Sequence, residues 1–283
     1  MRWLVTGAGG LLGTDLVAML RDRGEQVTPT RRADLDVTDA AALDAVVPGH
    51  DIVVNTAAWT AVDAAEDHEA DAHRVNAVAP GLVASAARRH GARVVHLSTD
   101  YVFSGDAVTP YAEDQAVAPR SAYGRTKADG ESAVLAADPS ALVIRTAWLY
   151  GGHGPCFPRT IARLARERGT VRVVTDQVGA PTWSHDLADL VVRVVAAEVP
   201  GGVLHATAGG RTSWFDFARE VVAAAGLPPS CVQPTTSEEL AFAAPRPAFS
   251  VLGHDRLTGS GVAPIDEWDE RWAVAAPTVL AGC

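Results

Sequence analysis

A chain of 283 residues with 48% hydrophobic content can fill one large α/β domain, or a main domain with a smaller lobe. Its net charge of −10, unrelieved by any basic block, speaks against a nucleic-acid surface. No apolar run approaches the ~18 residues of a membrane span, glycines arrive by Gly7 where a signal peptide would still be apolar, and Cys156, Cys231 and Cys283 are too scattered for a disulfide framework or a zinc site. A cytoplasmic protein with incidental thiols is expected.

Short apolar runs then alternate with amphipathic segments. RWLVT (2–6), QVTPT (26–30), DIVVN (51–55), RVVHLS (93–98) and ALVIRT (141–146) each read as a buried strand. LLGTDLVAMLRDRG, AALDAVV, the long segment 66–90 and SAYGRTKADGESAVLAA carry helical spacing between them. This alternation predicts an α/β fold, a Rossmann-type doubly wound parallel sheet with helices on both faces. Beyond Tyr150 the pattern loosens. Residues 151–158 read as a loop, FPRTIARLARERG as a helix ending at Gly169, VRVVT (171–175) as a strand, DQVGAPTW as a loop and HDLADLVVRVVAAEV as a helix. The last part, with Pro228, Pro229, Pro245 and Pro247, reads as a smaller α/β C-terminal lobe. The expected division is a cofactor domain over 1–150, with 171–206 packing back onto it, and a substrate lobe from 151–170 and 207–283.

TGAGGLLG (6–13) follows the first strand and opens a helix. Gly7, Gly10 and Gly13 have G-x-x-G-x-x-G spacing, with Gly9 as an extra. A dinucleotide needs such a turn: it is tight, and backbone N–H groups at a helix N-terminus can approach a pyrophosphate with no side chain between. The end of the second strand selects the dinucleotide. An acid there would bind a ribose 2′-hydroxyl, but here Thr30, Arg31 and Arg32 precede the first acid, Asp34. Two guanidinium groups suit a 2′-phosphate, so NADPH is the expected cofactor. The plainer reading of two solvated arginines leaves NADH as the alternative.

Tyr123 and Lys127 lie four apart at the start of a helical segment, on one face, after Pro119 and Ser121 as entry signals. Lys127 is the one lysine among 24 basic residues. A phenol, with its ordinary pKa of about 10, exchanges protons poorly near neutrality unless its anion is stabilised. A nearby ammonium does this and also donates to a ribose, a double duty that a planar guanidinium does not fit. Ser98 and Thr99 end the fourth strand, on the side of a parallel sheet where ligands bind, and a hydroxyl there suits a substrate carbonyl. Taken singly, Tyr123 reads as a half-buried aromatic and Ser98–Thr99 as a strand-end cap. Together, after a glycine turn, they read as a reactive site.

TGAGGLLG, STDYVF and YGRTK, in this order, resemble the extended short-chain dehydrogenase/reductase superfamily. NTAAWTAVDAAE (55–66), RTAWLYGG (145–152), DQVGAPTW (176–183), HATAGGRTSWFDFA (205–218) and RPAFSVL (246–252) look like its dTDP-4-dehydrorhamnose reductase branch, from Arg2 to about Leu257. The resemblance implies Tyr123 as proton donor, Lys127 as its pKa-lowering partner and ribose ligand, and Thr99 as the hydroxyl on the carbonyl. It implies Gly7, Gly10 and Gly13 at the pyrophosphate, with Leu11 and Leu12 between them, Asp36 and Val37 near the adenine, and Ala57 and Ala58 near the pyrophosphate and nicotinamide side, beside the Arg31 and Arg32 read above for the 2′-phosphate. Asp100, Tyr101 and Trp148 match the sugar pocket, and Arg246 and Ser250 match the nucleotide-diphosphate site. Trp148 as lobe–sheet packing and Arg246 as a structural ion pair stay open as alternatives.

The chain departs from the branch where Pro155 and Cys156 stand in place of two asparagines, so the pocket differs there and the substrate leans towards a secondary-metabolite sugar. Asp15 and His185 occupy positions where some members hold a metal between subunits, so no metal is expected, and monomer and homodimer both stay open. The implied activity is reduction of a dTDP-4-keto-6-deoxyhexose at C4. A non-catalytic dinucleotide-binding regulatory subunit and a nucleotide-sugar epimerase are the competing readings.

Overall fold

A computed structural model describes residues 1–282; Cys283 lies outside the described residues. Strand β1 (Arg2–Thr6) alternates its side chains, with Trp3 and Val5 in one core cluster and Leu4 in another. A continuous apolar run is therefore what a strand covered on both faces requires. It joins β2 (Gln26–Thr30), β3 (Ile52–Asn55), β4 (Arg93–Thr99), β5 (Leu142–Thr146) and the strand Gly202–His205 in one six-stranded sheet. Every pairing in it is parallel. The order runs Gly202–His205, β5, β4, β3, β1, β2, so the winding reverses between β1 and β3 and opens a crevice at the strands' C-terminal ends.

One face is covered by the helices Leu11–Asp22 and Ser184–Ala196, whose Leu16, Leu20, Leu187 and Val191 meet Trp3 and Val5. The other carries Leu43, Val83, Ala84, Ala87 and Val134 over Leu4, Val53 and Val143. A separate core, built on Tyr150, Ile161, Val173, Phe217, Val221 and Trp272, forms the smaller lobe. Among the described residues no helix is long and apolar enough to cross a membrane.

Several segments differ from the sequence expectation. QVTPT is not buried: β2 is the sheet edge, where Pro29 is tolerated and only Thr30 is fully covered. Segment 66–90 is not one helix but Val62–Asp67, Glu69–His73, a π-helical turn at Arg74–Val78, and Ala79–Arg89. DQVGAPTW is not all loop, since Val178–Gly179 and Thr182–Trp183 make short ladders. VRVVT does not reach the large sheet: Val171–Val174 pairs with Val232–Thr235, and Val171 and Val173 join the smaller lobe's core. Its alternating burial cannot tell one sheet from another; only the pairing partner does.

Candidate active site

The glycine turn follows β1 directly. Gly7 has φ +71°, and a Cβ there would lie 2.6 Å from the Ala57 nitrogen beyond β3. A Cβ on Gly13 would strike the Gly7 carbonyl oxygen at 2.4 Å, so the helix can start this close to the strand only with glycine at both positions. Gly10 is the helix N-cap and offers no side-chain cap, so the first N–H groups have no side-chain acceptor there. These features fit an approaching pyrophosphate. Leu12 is buried in the core, leaving only its backbone for a ligand, whereas Leu11 is half-exposed. Asn55 Oδ1 accepts from Thr6 Oγ1 at 2.7 Å and from the Ala57 nitrogen at 3.2 Å, which fixes the Ala57–Ala58 end of the crevice.

Arg31 lies along the turn, its Cδ 3.6 Å from where a Gly9 Cβ would be. Among the described residues neither Arg31 nor Arg32 enters an ion pair through its guanidinium. Both are exposed at the end of β2, where planar guanidinium groups could take a 2′-phosphate. Asp36 is turned to Thr38, whose hydrogen bonds hold its carboxyl below the usual range, with Arg32 assisting. Val37 is half-buried beside the core.

Tyr123 and Lys127 stand on the helix Ala122–Ala137, which Ser121 caps by accepting from the Gly124 nitrogen at 3.1 Å. Glu66 accepts from the Ala122 nitrogen at 2.8 Å and satisfies a second of the free donors. The helix lies against Tyr101, to whose carbonyl oxygen a Cβ on Gly124 would come within 2.3 Å. The π-helical turn turns Asn76 inward, where its amide exchanges hydrogen bonds with the Trp59 backbone and donates to Thr126 Oγ1 at 3.1 Å. That insertion ties the loop after β3 to the Tyr123 helix.

Burial pushes the Tyr123 phenol up to about 12, against a Thr99 hydroxyl that acts downward and with Asp100 adding to the rise. Lys127 Nζ donates to the Leu97 carbonyl oxygen at 2.5 Å, and desolvation of the phenol outweighs its neighbours. Lys127 itself is only 2% exposed, and burial pushes it down to about 8, with Glu131 acting upward.

Thr99 Oγ1 donates to Asp100 Oδ1 at 2.9 Å. Ser98, the other strand-end hydroxyl, faces away and donates to Glu131 at 2.5 Å. Asp100 is buried, its carboxyl pushed up to about 6 by desolvation, and its Oδ2 has no partner. Ser250 Oγ is likewise buried and unpartnered, as is Thr146 Oγ1 at the end of β5 in register with Thr99. Tyr101 packs edge-on to Tyr123 at 5.5 Å. Arg246 makes an ion pair, with Nη2 binding Asp63 Oδ2 at 2.5 Å, while its Nη1 is buried without a partner. Trp148, at φ +49°, stacks flat on Trp214 at 3.5 Å and lies against Gly179. It is packed and half-exposed at once.

Cys156 caps the helix Phe157–Arg168 by its backbone position and is a free thiol, as is buried Cys231. Asp15 accepts from Ser184 and sits 3.2 Å from His153 Nε2, while His185 stacks on Trp183. Among the described residues no group of three or more His, Cys, Asp or Glu is placed to hold a metal ion.

Sequence reasoning missed Asn55, Asn76, Glu131, Arg145, Thr146 and Trp214. Only Glu131 carried a signal, as the acid one turn beyond Lys127 on the same face.

An open glycine turn, a parallel sheet and a Tyr-x-x-x-Lys helix packed against a strand-end threonine define the extended short-chain dehydrogenase/reductase class. Within it, the chain belongs to the family described as RmlD substrate binding domain, whose model matches residues 1–279. It is 51% identical to a probable dTDP-4,6-dihydroxy-2-methyloxan-3-one 4-ketoreductase of Streptomyces antibioticus, over 99% of this chain and 96% of that one. It is 45% identical to a dTDP-4-keto-6-deoxy-D-glucose reductase of Streptomyces niveus, over 99% and 98% of the two chains. A solved dTDP-4-dehydrorhamnose reductase of Bacillus anthracis, in complex with NADP, superposes with a TM-score of 0.93 at 34% identity, covering 97% of this chain and 98% of that one.

Proposed function

We propose that this chain is an NADPH-dependent 4-ketoreductase of a dTDP-4-keto-6-deoxyhexose. The observation that carries the reading is 51% identity, along nearly its whole length, to a probable 4-ketoreductase of this substrate type. An intact Thr99, Tyr123 and Lys127 set supports catalysis over a purely regulatory role. The reduced nicotinamide, when bound, supplies hydride to C4.

The chain's own residues do the rest. At neutral pH a phenol held near 12 keeps its proton, the form in which Tyr123 donates to the C4 oxygen as negative charge develops there. Thr99, held in place by the Tyr101 backbone N–H, donates to the same oxygen once its single proton turns from Asp100 Oδ1 to the carbonyl. Lys127 has one donor engaged with Leu97, leaving two for a ribose hydroxyl and the phenolate left after transfer. The Gly7–Gly13 turn, Leu11 and the Leu12 backbone hold the pyrophosphate, and Arg31 and Arg32 the 2′-phosphate. Asp36 and Val37 border the adenine, and Ala57 and Ala58 the nicotinamide side. Asp100, Tyr101 and Trp148 line the sugar, and Arg246 Nη1 and Ser250 take the diphosphate.

We assign the large sheet to the cofactor and the smaller lobe to the sugar nucleotide. Pro155 and Cys156 have no side-chain amide, which favours a secondary-metabolite sugar over rhamnose as the substrate. The test follows NADPH oxidation against a panel of dTDP-4-keto-6-deoxy sugars with and without a C2 hydroxyl, beside Tyr123→Phe. The variant should lose about 10²- to 10⁴-fold in kcat and still bind NADPH; near-normal turnover would remove Tyr123 as the donor.

A further inference from the structure

Behind the proposed site, Tyr123, Lys127 and Glu131 form one stripe along the helix Ala122–Ala137, spaced four apart. Glu131 is buried, at 5% exposure, yet it does not pair with the lysine one turn away. Its two oxygens are held by Arg145, Nε at 2.8 Å and Nη2 at 2.7 Å, and Oε1 also accepts from Ser98 Oγ. Ser98 and Arg145 are register partners on β4 and β5, so one carboxylate clamps two strands and the helix. Arg145 is also held by the Phe103 ring at 4.8 Å and by contacts with Glu113 O and His205 Nε2, each at 3.4 Å. The clamp ends one residue from Leu97, whose carbonyl oxygen accepts a hydrogen bond from Lys127 Nζ at 2.5 Å.

We propose that Glu131 is a positioning residue for Lys127: its clamped carboxylate keeps the buried ammonium charged and aims it along the face shared with Tyr123. A charge this deep needs an opposing one. The other groups around it do not supply it. His96 on β4 is buried and held well below its usual range by desolvation and by Lys127, so it is neutral. Tyr123 keeps its proton, and His205 on the edge strand is held near 3 by burial. Arg145 is itself a cation, and Asp100 at the strand end faces Thr99. Glu131 is the one group that acts upward on the lysine. A carboxylate bonded directly to Nζ would occupy the donors that a ribose and a phenolate need. Held one turn away by Arg145 and Ser98, it supplies the field and leaves them free.

The inference rests on the proposed role of Lys127, but its test does not need turnover. Because Lys127 is the sole lysine, protein grown with ε-¹³C-lysine gives one lysine NMR signal to titrate. The wild-type midpoint should fall near 8. In Glu131→Gln it should drop by at least one pH unit. The double variant E131Q/R145M, which removes the two paired charges of the clamp together, should move the midpoint in the same direction but by less, since a neighbouring cation goes with the carboxylate. Glu131→Asp, which keeps the charge, should hold the midpoint closer to wild type than Glu131→Gln. The alkaline limb of kcat/KM should follow, so that the loss at pH 8.5 exceeds the loss at pH 6 by about tenfold. An unmoved lysine midpoint in both glutamine variants overturns the inference and leaves the ketoreductase reading standing. Absent turnover in wild type, with the midpoint shifting as stated, does the opposite.

Discussion

Replacing Lys127 by methionine removes a charge from a dry site, and the stability change should depend on pH in a defined way. The lysine's ordinary value of 10.5 falls to about 8 in the fold, mainly through desolvation. That difference corresponds to about 3 kcal/mol of penalty for holding the ammonium there. Below pH 8 the lysine is charged in both folded and unfolded chains, and the whole penalty is present. Between 8 and 10.5 the folded chain releases its proton first. The unfolded chain then binds more protons, so wild-type stability rises with pH. Methionine lacks this group, so the variant's lead over wild type should shrink by about 3 kcal/mol between pH 7 and pH 10.5. The lost hydrogen bond to Leu97 lowers that lead by ~1–3 kcal/mol at every pH, which offsets its size and not its slope. Urea unfolding of both cofactor-free proteins at pH 7, 8, 9 and 10 measures the difference, since other titrating groups are common to both. Parallel pH dependences would show that Lys127 is not held in a low-dielectric site. The variant should also be inactive, a gain in stability at neutral pH against a loss of function.

Lys127→Arg keeps the charge but adds bulk at a position 2% exposed, and the planar fork cannot copy the ammonium's three donors. It should lose at least about 10²-fold in kcat; steady-state rates near wild type would make the solitary lysine a matter of chance. Arg31→Ala with Arg32→Ala should raise the Kd for NADPH by roughly 10- to 100-fold, the worth of lost hydrogen bonds to a charged group. NADH binding should change little, and equal losses for both cofactors, measured by fluorescence titration, would place the 2′-phosphate elsewhere.

What the sequence made legible was local. Tyr123 and Lys127 share a helix face by spacing alone, and Gly7, Gly10 and Gly13 sit where a strand turns into a helix. Position in the sheet was less legible, because QVTPT reads as a strand wherever it lies and only its neighbours make it an edge. Long-range pairs left no trace: Arg246 finds Asp63 across 183 residues, and Trp148 finds Trp214 from another element. Spacing reveals that a cation is near Tyr123 but not how deeply the phenol is buried, which raises it and depends on everything packed around it.

Hydride delivery to C4 of a dTDP-4-keto-6-deoxy sugar is the step that the proposed site must perform. The direct measurement uses NADPH carrying deuterium at the transferred position, with NMR of the sugar product. One deuterium at C4, in a single configuration, is the predicted result. Cofactor that stays reduced across the panel, or product with no label at C4, would contradict it.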